Sequence, residues 1–172
     1  MRNIRRSLRN TGLKNTPADK NMENWIEAKK AFTVIGYGID IPYDQCNAVC
    51  PEFWKDFSRR KNPLQLKGMF GVCMMHEDHM HYMIADVYLP WMKLDGELET
   101  AEIPSSDWVI FPVHGALPDS LQKVNSEVWN CWVPAHQKDL PTNGSLMLEM
   151  YMPPVEDMSQ YYCELWLPLQ KK

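Results

Sequence analysis

The strongest constraint on the fold of this 172-residue chain is that it repeats itself. The segment Ile84-Ala85-Asp86-Val87-Tyr88-Leu89-Pro90 returns 78 residues later as Tyr162-Cys163-Glu164-Leu165-Trp166-Leu167-Pro168, with Asp86 on Glu164, Tyr88 on Trp166 and Pro90 on Pro168. Upstream, Thr33-Val34-Ile35 matches Trp108-Val109-Ile110 at an offset of 75. The same offset sets Glu52-Phe53-Trp54-Lys55-Asp56-Phe57 on Glu127-Val128-Trp129-Asn130-Cys131-Trp132. Two copies of so long a period do not make a solenoid. They predict one domain built from two halves, residues 23–90 and 98–168, about a pseudo-twofold axis. The seam between such halves is a natural place for a ligand groove.

Each half reads strand, strand, helix, strand, strand. In the first, Trp25–Ala28 and Phe32–Ile41 are strands by alternation and β-branching. Tyr43–Arg60 carries Cys46, Val49, Cys50, Phe53 and Phe57 at helical spacing. Pro51 within that stripe marks either the first helical position or a kink. Two further strands, Gly68–Met75 and Met80–Leu89, turn through His76-Glu77-Asp78-His79. The second half repeats the order with strands Leu98–Ile103 and Trp108–His114, and a helix over Leu117–Pro134 that buries Leu121, Val124, Val128 and Trp132. Strands Leu146–Met152 and Tyr161–Leu167 close it. The expected class is α+β: an antiparallel sheet with two helices on one face.

Charge separates the ends of the chain. Residues 1–14 hold Arg2, Arg5, Arg6, Arg9 and Lys14 with no acid, although the net charge of the whole chain is −4. Residues 1–22 are therefore expected to be a flexible basic arm on an acidic domain spanning 23–172, a body unsuited to nucleic acid and suited to cationic ligands. No apolar run approaches spanning length. Five cysteines with no Cys-x-x-Cys pair fit reduced thiols in the cytoplasm. The spacing of His76, His79 and His81 matches no zinc signature, so neither metal nor cofactor is expected.

Within this frame Glu164 stands out. Alternation sets Tyr162, Glu164 and Trp166 on one strand face, placing a carboxylate between two large aromatics. Burying such a group unpaired costs several kcal/mol, and aromatic faces around one anion suit a lipophilic cation. Asp86, beside Tyr88, is its mate in the first half.

Several stretches carry a resemblance: Asp107-Trp108-Val109-Ile110-Phe111-Pro112-Val113-His114-Gly115, the helix with Trp129 and Trp132, Leu148-Glu149-Met150-Tyr151, and above all Glu164-Leu165-Trp166-Leu167-Pro168. From Glu23 to Leu169 the chain resembles the GyrI-like small-molecule-binding domain, which also serves as the effector-binding domain of AraC-type and MerR-type regulators. The resemblance implies a ligand between the halves and a role for Glu164 in contacting a cationic or drug-like molecule. Tyr162, Trp166, Trp108, Tyr37, Tyr151, Asp86, Tyr88 and Trp129 are the further candidate ligand contacts. The chain departs from those regulators in having no room for a helix-turn-helix domain, which residues 1–22 cannot supply. A stand-alone binding protein without direct DNA binding is therefore expected, with a regulator or DNA gyrase as the protein partner the resemblance offers. The alternative it offers is a hydrolase of reactive small molecules, with Glu164 as general base assisted by Tyr37, Tyr151 or Tyr162.

Overall fold

The computed structural model describes residues 22–170. The basic arm expected over residues 1–22 lies, apart from Met22, outside them. Among the described residues eight strands form one sheet: β1 (Trp25–Lys29), β2 (Phe32–Pro42), β3 (Phe70–Met75), β4 (His79–Val87), β5 (Leu98–Ile103), β6 (Ser106–His114), β7 (Leu146–Tyr151) and β8 (Tyr162–Pro168). Their order is β1-β6-β8-β7-β3-β4-β2-β5, and every neighbouring pair is antiparallel. Exchanging β1 with β5, β2 with β6, β3 with β7 and β4 with β8 turns this order into its own reverse. The β3–β7 pair is thus the central seam of the sheet, with β1 lying beyond it among the strands of residues 98–168 and β5 among those of residues 23–90.

Connectivity forces the sheet to curl. β1 lies at one end of the order and β2 six places away, yet residues 30 and 31 alone join them. A flat sheet would separate the two by about 29 Å, and a two-residue link reaches only about 10 Å. β5 and β6 are joined as tightly, through residues 104 and 105. The sheet ends therefore meet at one corner, and the face without helices closes over its own cluster. Val34, Val72, Trp108, Ile110 and Leu148 are all fully buried there.

The other face carries the helices. α1 (Cys46–Arg59) follows a short 3-10 turn, Tyr43–Gln45, and buries Phe53 and Phe57. Pro51 sits inside α1, so the helix does not start there. It has no N–H to offer the carbonyl of Asn47, four residues back. Gln122 Nε2, from the second helix, reaches that carbonyl instead at a long 3.5 Å.

The second helix begins as α2 (Asp119–Glu127), passes through a π turn at Val128–Trp132 and ends in a last turn at Val133–His136. It does not stop at Pro134, as the sequence suggests. Pro134 cannot donate to Asn130, and the chain immediately before it bonds in the wider pattern, with the Val133 N–H donating to the Val128 carbonyl.

The strand offsets of 75 and 78 fail on strand faces. Side chains alternate, so equivalent strands must match face for face. Ile35 packs on the helix side and Ile110 on the enclosed side. Alternation likewise sets Asp86 with Tyr82 and Ile84 on the helix side, whereas Glu164 shares the enclosed side with Trp166. Asp86 and Glu164 are not equivalent residues. Along the helices the offset of 75 sets Phe53 on Val128 and Phe57 on Trp132, all four buried.

Candidate ligand-binding site

A cavity of about 660 Å³ opens on the helix side of the seam, within the usual range for small-molecule sites. β3 and β7 supply its floor with Cys73, Met75, Met147, Glu149 and Tyr151. α1 forms one wall through Asn47, Cys50 and Trp54. The second helix forms the other through Leu121, Gln122, Asn125 and Trp129. The β7–β8 loop adds Met152, Pro154 and Met158 at the rim. Methionines suit such a lining because their unbranched chains repack around different shapes.

Glu149 is the anion of this floor. It pairs across the seam with Gly71. A Cβ at position 71 would overlap Glu149 Oε2 and stand 2.5 Å from the Tyr82 hydroxyl. Glycine therefore provides the gap in which these groups meet. Tyr82 on β4 and Tyr151 on β7 both donate hydroxyl hydrogen bonds to Glu149 Oε2, each at 2.7 Å. The Trp54 indole N–H donates to the Tyr82 oxygen at 2.8 Å, and the Trp54 ring meets the Tyr151 ring edge-on at 4.8 Å. Among the described residues no hydrogen bond reaches Glu149 Oε1 and no Lys or Arg pairs with this carboxylate.

Burial pushes the Glu149 pKa up, against the opposing pull of the two tyrosine hydroxyls. Desolvation and then the negative charge of Glu149 raise the Tyr82 and Tyr151 phenols well above their ordinary value. The same two causes push the Cys50 thiol up to about 12 and the Cys73 thiol upward as well. Thiolate nucleophiles are therefore not a feature of this floor. What it offers is one carboxyl without a positive partner, held by two phenols between aromatic walls.

The model of the Cass2 family, integron-associated effector-binding proteins, matches residues 25–169. The chain belongs to this family. Among curated proteins none matches it in sequence. A Staphylococcus aureus MU50 protein assigned to transcription regulation has a similar structure, with a TM-score of 0.71 and 21% identity over 88% of this chain and 100% of that one. SAV2435 bound to tetraphenylphosphonium gives 0.70 and 23%, over 87% and 94% of the two chains. An integron cassette protein from the mobile metagenome of Vibrio cholerae gives 0.64 and 17%, over 86% and 95%. At these identities the likeness shows the fold.

In this member of the Cass2 family, Tyr151 and Trp129 are the sequence candidates that line the cavity. Glu164, Tyr162, Trp166 and Trp108 do not line it, because β8 and β6 turn them to the enclosed face. There Glu164 accepts hydrogen bonds from the Tyr162 hydroxyl and the Trp166 indole, both at 2.7 Å. The Trp166 ring already carries a cation from within the chain, Lys29 Nζ at 4.3 Å from its centre. Tyr37 is packed in the core against Phe57, with the Arg60 guanidinium 4.9 Å above its ring. Tyr88 continues past β4 and packs against the helix-side core. Asp86 accepts from the Lys67 and Met69 backbone N–H groups, at 2.6 and 2.8 Å, and so shapes the loop that carries Lys67 to the rim.

Sequence reasoning missed Glu149, Tyr82 and Trp54. A signal for Glu149 was present: it lies two residues before Tyr151 and shares its face.

Proposed function

We propose that this protein captures lipophilic cations in the seam cavity, with Glu149 as the counter-anion and Trp54, Trp129, Tyr82 and Tyr151 as the aromatic surround. The observation carrying this reading is a carboxyl, sunk in aromatic surroundings, that has no positive partner among the described residues. A ligand cation would supply the missing charge, and aromatic faces add cation–π attraction of about 0.5–2 kcal/mol each. The tetraphenylphosphonium held by SAV2435, a chain of the same fold, supports the choice of probe. The role of such a site is to sense or sequester its ligand.

A second reading rests on the same carboxyl. Two phenols converging on Glu149 could hold a general base beside a water molecule, giving a hydrolase with Glu149 rather than Glu164 at its centre. Conversion of a bound ester or strained ring, lost in Glu149→Gln while affinity persists, would favour it.

The test of cation capture is calorimetric titration with tetraphenylphosphonium and with neutral triphenylphosphine oxide. The expected result is at least tenfold tighter binding of the cation, since a desolvated ion pair contributes on the order of 2–5 kcal/mol. Equal affinities, or no binding of either, would overturn the proposal.

A further inference from the structure

The cavity holds two charged side chains of opposite sign among its described lining residues: Glu149 on the floor and Lys67 at the opening. Resting on the cation-capture reading, we propose that the ligands this site selects are amphoteric. They carry a cationic aromatic end that goes to Glu149 and an acidic or strongly accepting group at the outer end that meets Lys67.

Lys67 is exposed, yet its backbone is fixed. Its N–H donates to Asp86 Oδ2 at 2.6 Å, and the next N–H but one, that of Met69, donates to Asp86 Oδ1 at 2.8 Å. Gly68 between them adopts φ +70° and lies against the Trp54 ring, where an added Cβ would stand 2.6 Å from a ring carbon. The loop is thereby held against the α1 wall, which keeps Lys67 among the residues lining the cavity. Lys67 forms no ion pair with another described residue, so its charge is available to a ligand.

Apart from Glu149, Lys67 is the one charged side chain among the described lining residues. Met152, Pro154 and Met158 are apolar, and the Tyr43 hydroxyl donates to the His76 carbonyl. A second positive charge on a ligand would meet Lys67 and be repelled. A carboxylate there would be attracted. The outer contact is solvent-exposed, so its effect is modest and salt-dependent.

Rhodamine 6G and its free acid rhodamine 19 provide a matched pair: the same xanthylium cation, esterified in one and zwitterionic in the other. Fluorescence anisotropy at low salt gives an acid-to-ester affinity ratio for each protein. Lys67→Gln should lower that ratio about threefold to fivefold and leave ester affinity nearly unchanged. Lys55→Gln, on the exposed side of α1, should leave the ratio as in wild type. A ratio that stays within about twofold in Lys67→Gln, with both dyes bound, would overturn the amphoteric proposal and leave cation capture standing. Loss of the ratio in Lys55→Gln as well would also overturn it, because a general surface charge would then explain the effect. Failure of the acid alone to bind wild type would overturn the amphoteric proposal, and failure of both dyes would remove the cation-capture reading with it.

Discussion

Gly71→Ala is a small change with a large expected effect. The new methyl would overlap Glu149 Oε2 and stand 2.5 Å from the Tyr82 hydroxyl, where an unstrained carbon–oxygen contact needs about 3.3 Å. Both groups end flexible side chains, but neither is free to move. The Tyr82 oxygen is fixed between the Trp54 indole and Glu149, and Glu149 Oε2 also serves Tyr151. Relieving the overlap breaks at least one buried hydrogen bond to a carboxyl, about 1.5–3 kcal/mol. Overpacking adds about 1–3 kcal/mol, and the stiffer unfolded chain returns about 0.4–1 kcal/mol. The net expectation is a loss of about 1.5–5.5 kcal/mol, read as a lower midpoint in urea denaturation at unchanged slope. Cation affinity should fall with it, because the carboxyl is displaced. In the Gly71→Ala/Glu149→Ala double variant the overlap with the carboxylate is gone, so the two stability losses should fall short of additivity by about 1 kcal/mol or more. A single variant within about 0.5 kcal/mol of wild type, still binding the cation, would refute this account of the floor.

Two pH responses follow from the titrating groups. The folded Glu149 pKa lies above its ordinary 4.5, so the native state holds a proton that the unfolded chain releases. Wild type should therefore lose stability relative to Glu149→Gln as pH rises above that value, and the gap should level off once the raised pKa is passed. Affinity for a permanent cation should rise over the same interval and stay flat in the variant, as paired stability and binding titrations would show. His81 behaves by the same rule with a different origin. Burial alone would lower its pKa, but hydrogen bonds to Asp40 and Glu99 outweigh this and raise it above 6.5. Its contribution should be full below that pH and disappear as pH rises through the folded pKa, a slope in melting temperature that His81→Gln should remove.

The strands were legible because alternation and turn residues mark them locally, and Pro118 with Asp119 marked the start of the second helix correctly to within two residues. The passage of that helix through Pro134 was not legible, since a π turn depends on how the chain is packed and not on propensity. The site was half legible. Two strands each place a carboxylate beside aromatic residues, Glu164 with Tyr162 and Trp166 on β8, and Glu149 with Tyr151 on β7. Alternation tells which residues share a face, but it does not say which face the helices cover. That depends on the curl imposed by the two-residue links, a property of the assembled sheet. The same blindness let offsets pass as alignments of strands, although 75 sets Ile35 and Ile110 on opposite faces and 78 does the same to Asp86 and Glu164.

The central claim is that the cation site belongs to Glu149 and not to Glu164. Calorimetry with tetraphenylphosphonium on wild type, Glu149→Gln and Glu164→Gln in one buffer tests it directly. The account predicts that Glu149→Gln weakens binding by tenfold or more, while Glu164→Gln stays within about twofold of wild type, because its carboxylate faces the enclosed side of the sheet. Loss of binding in Glu164→Gln with Glu149→Gln unaffected would contradict it.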